Sequence, residues 1–162
     1  MTIHVANLFE ADRRTALAAE AITQGMLIKI SDDGNGVRKA LKVADADAAL
    51  LVPGNYGVAY KVTSDEFEVS SSTVLDDQSR VLAIASGDAI VELGRGSKIE
   101  YSADLLHSSL DPARSGATAT VGQTLAVKSA QWCTTGTGSA ITSPVVGRVH
   151  AVRGTTVVIE LL

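Results

Sequence analysis

Five segments of this chain share one layout: a glycine followed by a short run that alternates apolar and polar residues. They are Gly25 before MLIKIS, Gly57 before VAYKVT, Gly87 before DAIVEL, Gly122 before QTLAVKS and Gly147 before RVHAVRG. Side chains of an extended chain point alternately to opposite faces, so period-two alternation marks a strand with one face covered. In Asp88 to Leu93 the pattern predicts Ala89, Val91 and Leu93 facing inward, with Asp88, Ile90 and Glu92 facing out. In Gln123 to Lys128 it puts Leu125 and Val127 inside. The glycines are expected to supply positive φ or tight corners at strand entry. The spacing is irregular, so this is turn–strand punctuation and not a fixed-period repeat.

The C-terminus reads most clearly. Val145 to Val152 and Thr155 to Leu162 flank Arg153-Gly154, a connection short enough for a tight hairpin, and Thr155, Val157, Ile159 and Leu161 share a face. Asp32-Asp33-Gly34-Asn35-Gly36 turns the strand at 26–31 into one near Val37 to Ala44. Thr134 to Ser139 and Ser70 to Thr73 read as loops, and Leu105 to Leu110 as one helical turn stopped by Pro112. Asn7 to Thr23 is open between helix, which the alanines of ALAAEAI favour, and an extended crossing. Many short strands with turns about every 8 to 12 residues indicate a mainly β chain, a small β-barrel or sandwich. It carries at most one or two short helices. The expected organisation is an extended N-terminal arm over 1–20 and a single β-rich domain over 21–162.

Composition narrows the function. The 162 residues carry 14 Lys+Arg against 18 Asp+Glu, a net charge of −4 without a basic cluster, which argues against nucleic-acid binding. Cys133, the single cysteine, cannot form an internal disulfide. The N-terminus lacks the basic-then-apolar layout of a secretory signal, and no apolar run nears the roughly 20 residues that span a bilayer. A soluble protein made in the cytoplasm, without membrane partners, is expected. Aromatics are only 4% of the chain, which disfavours the stacked-ring platforms that bind sugars and single-stranded nucleic acid.

Searches for chemistry return little. Gly94-Arg95-Gly96 and Gly136-Thr137-Gly138 do not continue as GxGxxG and precede no helix, so both read as turns. His4, His107 and His150 are far apart and lack metal-ligand spacing. His150 is expected on the outward face of its strand beside Arg148. Asp45 and Asp47 start like a calcium loop but lack the glycine and distal glutamate that such a loop requires. Ser108 and Ser109 beside His107 sit in no GxSxG elbow. Asp76-Asp77 lacks the aromatic cleft of a sugar hydrolase. Cys133 has no basic neighbour in sequence and is expected to be buried and inert. No catalytic, cofactor-binding or metal-ligating residue is assigned, and the protein is expected not to be an enzyme.

Ile3, Val5, Leu8 and Phe9 give the first residues an apolar character without folding them back in an obvious hairpin. Such a segment is either a loose terminus or an arm that adds a strand to a partner's sheet.

The order of segments resembles the capsid cement, or head decoration, proteins of tailed bacteriophages. Three stretches carry the resemblance: AITQGMLIKISDDGNGVRKALKVA at 21–44, SGDAIVELGRGSKIEYSADLL at 86–106, and the run from VGQTLAVKS at 121–129 to VVGRVHAVRGTTVVIELL at 145–162. The resemblance implies a β-tulip-like barrel, with no cofactor. It also implies a homotrimeric subunit assembled in the host cytoplasm, bound to the major capsid protein on the outer surface of the virion. There it would bridge capsomers against the pressure of packaged DNA. By position, the arm residues Ile3, His4, Val5, Leu8 and Phe9 would contact the capsid. The alternatives are another β-barrel binding module, such as a tail or spike component, or a biotin- or lipoyl-type carrier, for which Lys98 and Lys128 lack the usual flanking residues.

Overall fold

Leu27 and Ile28, adjacent in one strand, are both fully buried, and each belongs to a different core. That is the key to the architecture: a closed barrel whose lumen forms one core, with a sheet packed outside it to form the other. The computed structural model describes residues 3–5, 13–61, 83–102, 106, 119–135, 144–154 and 156–162. The fold is mainly β, with one short helix among the described residues.

The barrel consists of β2 (Arg13–Ala18), β4 (Leu27–Asp32), β5 (Arg38–Lys42), β6 (Tyr56–Lys61) and β8 (Ala89–Leu93), in the order β2-β5-β4-β6-β8 and back to β2. A short ribbon pairs β3 (Ile22–Thr23) with β7 (Ala83–Ile84). The second sheet runs β1-β9-β13-β12-β10-β11. Its strands are β1 (Ile3–Val5), β9 (Lys98–Ser102), β10 (Thr124–Lys128), β11 (Gln131–Thr134), β12 (Gly147–Arg153) and β13 (Thr156–Leu161). The helix α1 (Asp45–Ala48) is a single turn.

The lumen explains the composition. Ala16, Ala18, Ala40 and Ala59 fill it together with Ile28 and Ile90, while Ile22 and Ile84 extend the cluster from the β3–β7 ribbon. Five strands close a cylinder too narrow for rings at every position, so small side chains are required. The aromatics among the described residues lie instead where the layers meet. Tyr56, Tyr101 and Trp132 join Leu27, Val58, Leu93 and Ile159 in the larger core, with Tyr60 packed against it. Tyr101 meets Trp132 edge to face, with centroids 6.4 Å apart.

The hairpins fall where the local chemistry places them. Asp32 and Asp33 carboxylates accept the backbone N–H groups of Gly34 and Asn35, each at 2.9 Å, in the β4–β5 turn. The β12–β13 hairpin pairs Arg153 with Thr156, and a bulge lies between Val149 and Ala151. The β10–β11 turn has no glycine: Ser129 and Ala130 both take positive φ, at 50° and 58°. There the Ser129 N–H donates to Asp45 Oδ1 at 2.6 Å, which helps to hold a conformation L-residues disfavour.

Three of the five strand-leading glycines behave as expected: Gly25, Gly87 and Gly122 have φ of 91°, 90° and 85°. Gly57 and Gly147 serve another purpose, close approach. A Cβ on Gly57 would lie 2.3 Å from Glu92 Cγ, and one on Gly147 would lie 2.6 Å from the Trp132 ring. Neither separation is sterically possible, so each glycine makes room for one large neighbour.

Two expectations are corrected. The segment left open between helix and extended chain contains β2, which pairs parallel with β5 and antiparallel with β8. Closing the barrel outweighs the alanine helix preference. Residues 13–18 are therefore barrel wall, inside the 1–20 span read as an arm. The facing of β8 is also reversed at three positions: Ala89 is exposed, while Ile90 and Glu92 are buried in the lumen. Both faces of this strand are covered, so its alternation could not indicate which face was outside. Leu125 and Val127 of β10 lie inside as expected, and Val157, Ile159 and Leu161 share the core face of β13. The expected loops at Ser70 to Thr73 and residues 136–139, and the turn around Leu105 to Leu110 except Leu106, lie outside the described residues.

Candidate interaction surface

The five arm residues singled out from the sequence divide between two places. Ile3, His4 and Val5 form β1, the outermost strand of the second sheet, and Leu8 and Phe9 lie outside the described residues. Strand β1 runs antiparallel to β9 in the register Ile3 to Tyr101, His4 to Glu100 and Val5 to Ile99. Tyr101 and Ile99, the β9 partners at the two ends of this register, are fully buried core positions. The outer edge of β1 has no strand beside it among the described residues. Unpaired N–H and C=O groups along such an edge are a template for another chain.

A second surface feature is apolar. Leu50 is 72% exposed, Val52 56% and Val145 45%, and Leu162 is also exposed. Side chains of two neighbouring residues bond the backbone of Leu50, Val52 and Leu162. The Asn55 amide donates to the Leu50 carbonyl (3.3 Å) and its Oδ1 accepts the Val52 N–H (3.0 Å). The next residue, Tyr56, donates its hydroxyl to the Leu162 carbonyl at 2.9 Å, with the Val146 carbonyl 3.2 Å away. Sequence reading passed over these residues because they come from separate segments of the chain, as Leu50 and Val145 do, 95 positions apart.

Among the described residues the lumen holds one buried charge, which sequence reading had placed outside. Glu92 is fully buried, its Oε1 accepts Arg14 Nη2 at 2.6 Å, and its Oε2 has no partner among the described residues. Burial raises the Glu92 carboxyl above its ordinary range, and the hydrogen bond and charge of Arg14, with the charge of Arg38, offset only part of that rise. The pair links β2 to β8 at the barrel seam, directly across the register Arg14 to Glu92. The available signal was Gly57, whose missing side chain leaves space for this carboxylate.

The other polar candidates are engaged in structure-holding contacts. Asp47 pairs with Lys29 at 2.7 Å and Asp45 with Lys128 at 3.2 Å, in place of a calcium loop. Gly94-Arg95-Gly96 is the β8–β9 turn, closed by a bond from the Ser97 N–H to the Gly94 carbonyl. His150 is exposed, as expected, with Nδ1 3.9 Å from Glu160, which also accepts Arg148 Nε at 2.8 Å. Cys133 is buried and its thiol is pushed up to about 11 by that burial, partly offset by Lys128, with Asp45 raising it further. His107, Ser108, Ser109, Asp76, Asp77 and the glycines 136 and 138 lie outside the described residues. Among the described residues no group of three or more His, Cys, Asp or Glu side chains is placed to hold a metal. No helix among them is long and apolar enough to cross a membrane.

No protein-family model matches the chain, and no curated protein matches it. Among solved structures it is similar to the N base of the head fiber protein gp8.5 of bacteriophage phi29. The identity is 15%, 94% of each chain is covered, and the TM-score is 0.46.

Proposed function

We propose that this protein is a structural component of a phage virion, a capsid cement or decoration subunit. In this reading it binds the outer surface of the major capsid protein shell as a homotrimer, bridges capsomers and performs no catalysis. The sequence resemblance supplies the class. The observation that carries the mode of contact is the strand formed by Ile3–Val5 at a sheet edge. An arm segment that already takes strand geometry loses less entropy on pairing with a partner, and main-chain hydrogen bonds then provide much of the affinity. The outer edge of β1 would accept a strand of the shell, Leu8 and Phe9 would provide apolar anchors, and the Leu50, Val52, Val145 and Leu162 group would offer a second contact. Three arms engaged at once give avidity from individually weak contacts.

The test uses empty shells assembled from the major capsid protein of the same genome. Binding is compared among the intact chain, a chain lacking residues 1–9 and an Ile3→Asp variant. Occupancy should fall at least about tenfold in both variants, corresponding to about 1.4 kcal/mol, with thermal unfolding showing the barrel still folded. Unchanged occupancy in the truncated chain would overturn the arm contact. A tail or spike component would leave shells bare with all three chains.

A further inference from the structure

The barrel closes unevenly where β2 meets β5. These strands pair in parallel only at Leu17 with Lys39 and Ala18 with Ala40. That end of β2 is clamped from both sides: the Ala18 N–H donates to the Asp88 carbonyl and the Ala19 N–H to the Ala40 carbonyl, each at 2.9 Å. Residues 13–16 pair with β8, in the register running from Arg13 to Leu93 through Ala16 to Ile90. On their other side no strand is paired with them among the described residues. Side chains add little hold. Among the described side chains β2 buries Ala16 and Ala18 alone, while Thr15 and Leu17 on its outer face are exposed. Strand β6, by contrast, buries Tyr56, Val58 and Ala59, and apolar stabilisation grows with the area buried. The polar contact that holds residues 13–16 shut is Arg14 to Glu92 at 2.6 Å. It leaves Glu92 Oε2 buried without a partner among the described residues, so closing the seam keeps an incompletely bonded carboxyl out of water.

The geometry points to a latch in the barrel wall: residues 13–16 swing off β8 while residues 17–19 stay bound, and Glu92 sets how often they do so. Opening breaks the Arg14 contact but lets water reach both carboxyl oxygens. The charged groups that face Glu92 are Arg14 from β2 and Arg38 from β5. The lumen positions of β6 and β4, namely Gly57, Ala59, Ile28 and Ile30, carry nothing that titrates. Burial outweighs the two cations and raises the carboxyl above its ordinary range. The closed seam therefore holds the Glu92 proton more tightly than the open seam, where the carboxyl is hydrated. Closure is strongest below the ordinary glutamate pKa, and opening becomes more frequent as pH rises through the raised one. The latch is a property of the barrel and stands independently of capsid binding.

Hydrogen exchange of the intact chain, followed by mass spectrometry of its peptides, tests this. Rates are corrected for the intrinsic effect of pH and compared between residues 13–16, β6 and β13. The latch predicts protection of residues 13–16 at least about tenfold below that of β6 and β13, and unchanged by low urea, because a local opening exposes little surface. Between about pH 4 and about pH 7 the opening of residues 13–16 should rise at least about threefold, and Glu92→Gln should abolish that rise. Protection of residues 13–16 equal to that of β6, or lost with the same urea dependence, overturns the latch. A rise that persists unchanged in Glu92→Gln overturns the control by Glu92. Should that variant not fold, the carboxyl of Glu92 is titrated by carbon-13 NMR in the unsubstituted chain. The opening must then share the midpoint of Glu92, and a different midpoint overturns its control.

Discussion

Replacing Gly57 with alanine is the sharpest probe of the barrel seam. The added Cβ would lie 2.3 Å from Glu92 Cγ, 2.8 Å from Glu92 Oε1 and 2.7 Å from the Leu93 carbonyl oxygen. The last contact is backbone of the neighbouring strand, so rotating a side chain cannot relieve all of it. The carboxylate would have to swing off Arg14, from which it now accepts a 2.6 Å hydrogen bond, and β6 and β8 would have to part. Overpacking costs about 1–3 kcal/mol. A hydrogen bond to a charged group is worth about 1.5–3 kcal/mol, to be taken at the low end because the Arg14 side chain is 36% exposed. The alanine recovers about 0.5–1 kcal/mol of backbone entropy. The net expectation is a loss of about 2–4 kcal/mol, or about 4–16 °C in Tm for a chain of this size. Urea unfolding followed by circular dichroism measures it. The same substitution made in a Glu92→Ala background isolates the cause, because truncation at Cβ removes two of the three clashing atoms. There Gly57→Ala should cost at least about 1 kcal/mol less than in the intact chain. A cost that is the same in both backgrounds, or a Gly57→Ala chain within about 0.5 kcal/mol of wild type, would refute the claim that this glycine exists to house Glu92.

Two further outcomes follow from the buried groups. Glu92 titrates above its ordinary range in the fold, so the folded state holds this proton more tightly than the unfolded chain. Its contribution to stability is therefore greatest below the ordinary glutamate pKa and is lost as pH rises through the raised one. Glu92→Gln should flatten the slope of urea midpoint against pH across that window; parallel slopes would count against a carboxyl that titrates above its ordinary range in the fold. Cys133, buried with its thiol pushed up to about 11, should resist iodoacetamide in the native protein at pH 8 and react fully once denatured, as mass spectrometry would show; rapid native labelling would contradict the burial.

Strand positions and turns were legible because their signals are local. The acidic-glycine hairpin of Asp32 to Gly36 and the alternation of Val157, Ile159 and Leu161 each reside in a few consecutive residues. The β10–β11 turn was not legible, since Ser129-Ala130 carries no turn signature and part of its support comes from Asp45, 84 positions away. The aromatic shortage was visible from the start, but its cause, an alanine-filled lumen, required knowing that β2 closes the barrel against β5 and β8. For the candidate surface, the sequence singled out Ile3, His4 and Val5 as part of an arm that could add a strand, while their pairing to β9 and the exposure of Leu50, Val145 and Leu162 are tertiary facts.

By itself, then, the sequence determined the class of the fold, mainly β with short strands, because period and turn chemistry are read within one strand's length. Only the tertiary structure decided which face of β8 is inside. A barrel covered by a second sheet buries both faces of a strand, and alternation distinguishes two faces without saying what lies against either. Ile90 and Glu92 show this directly: the pattern placed them correctly on one face, and the closure of the barrel made that face the interior.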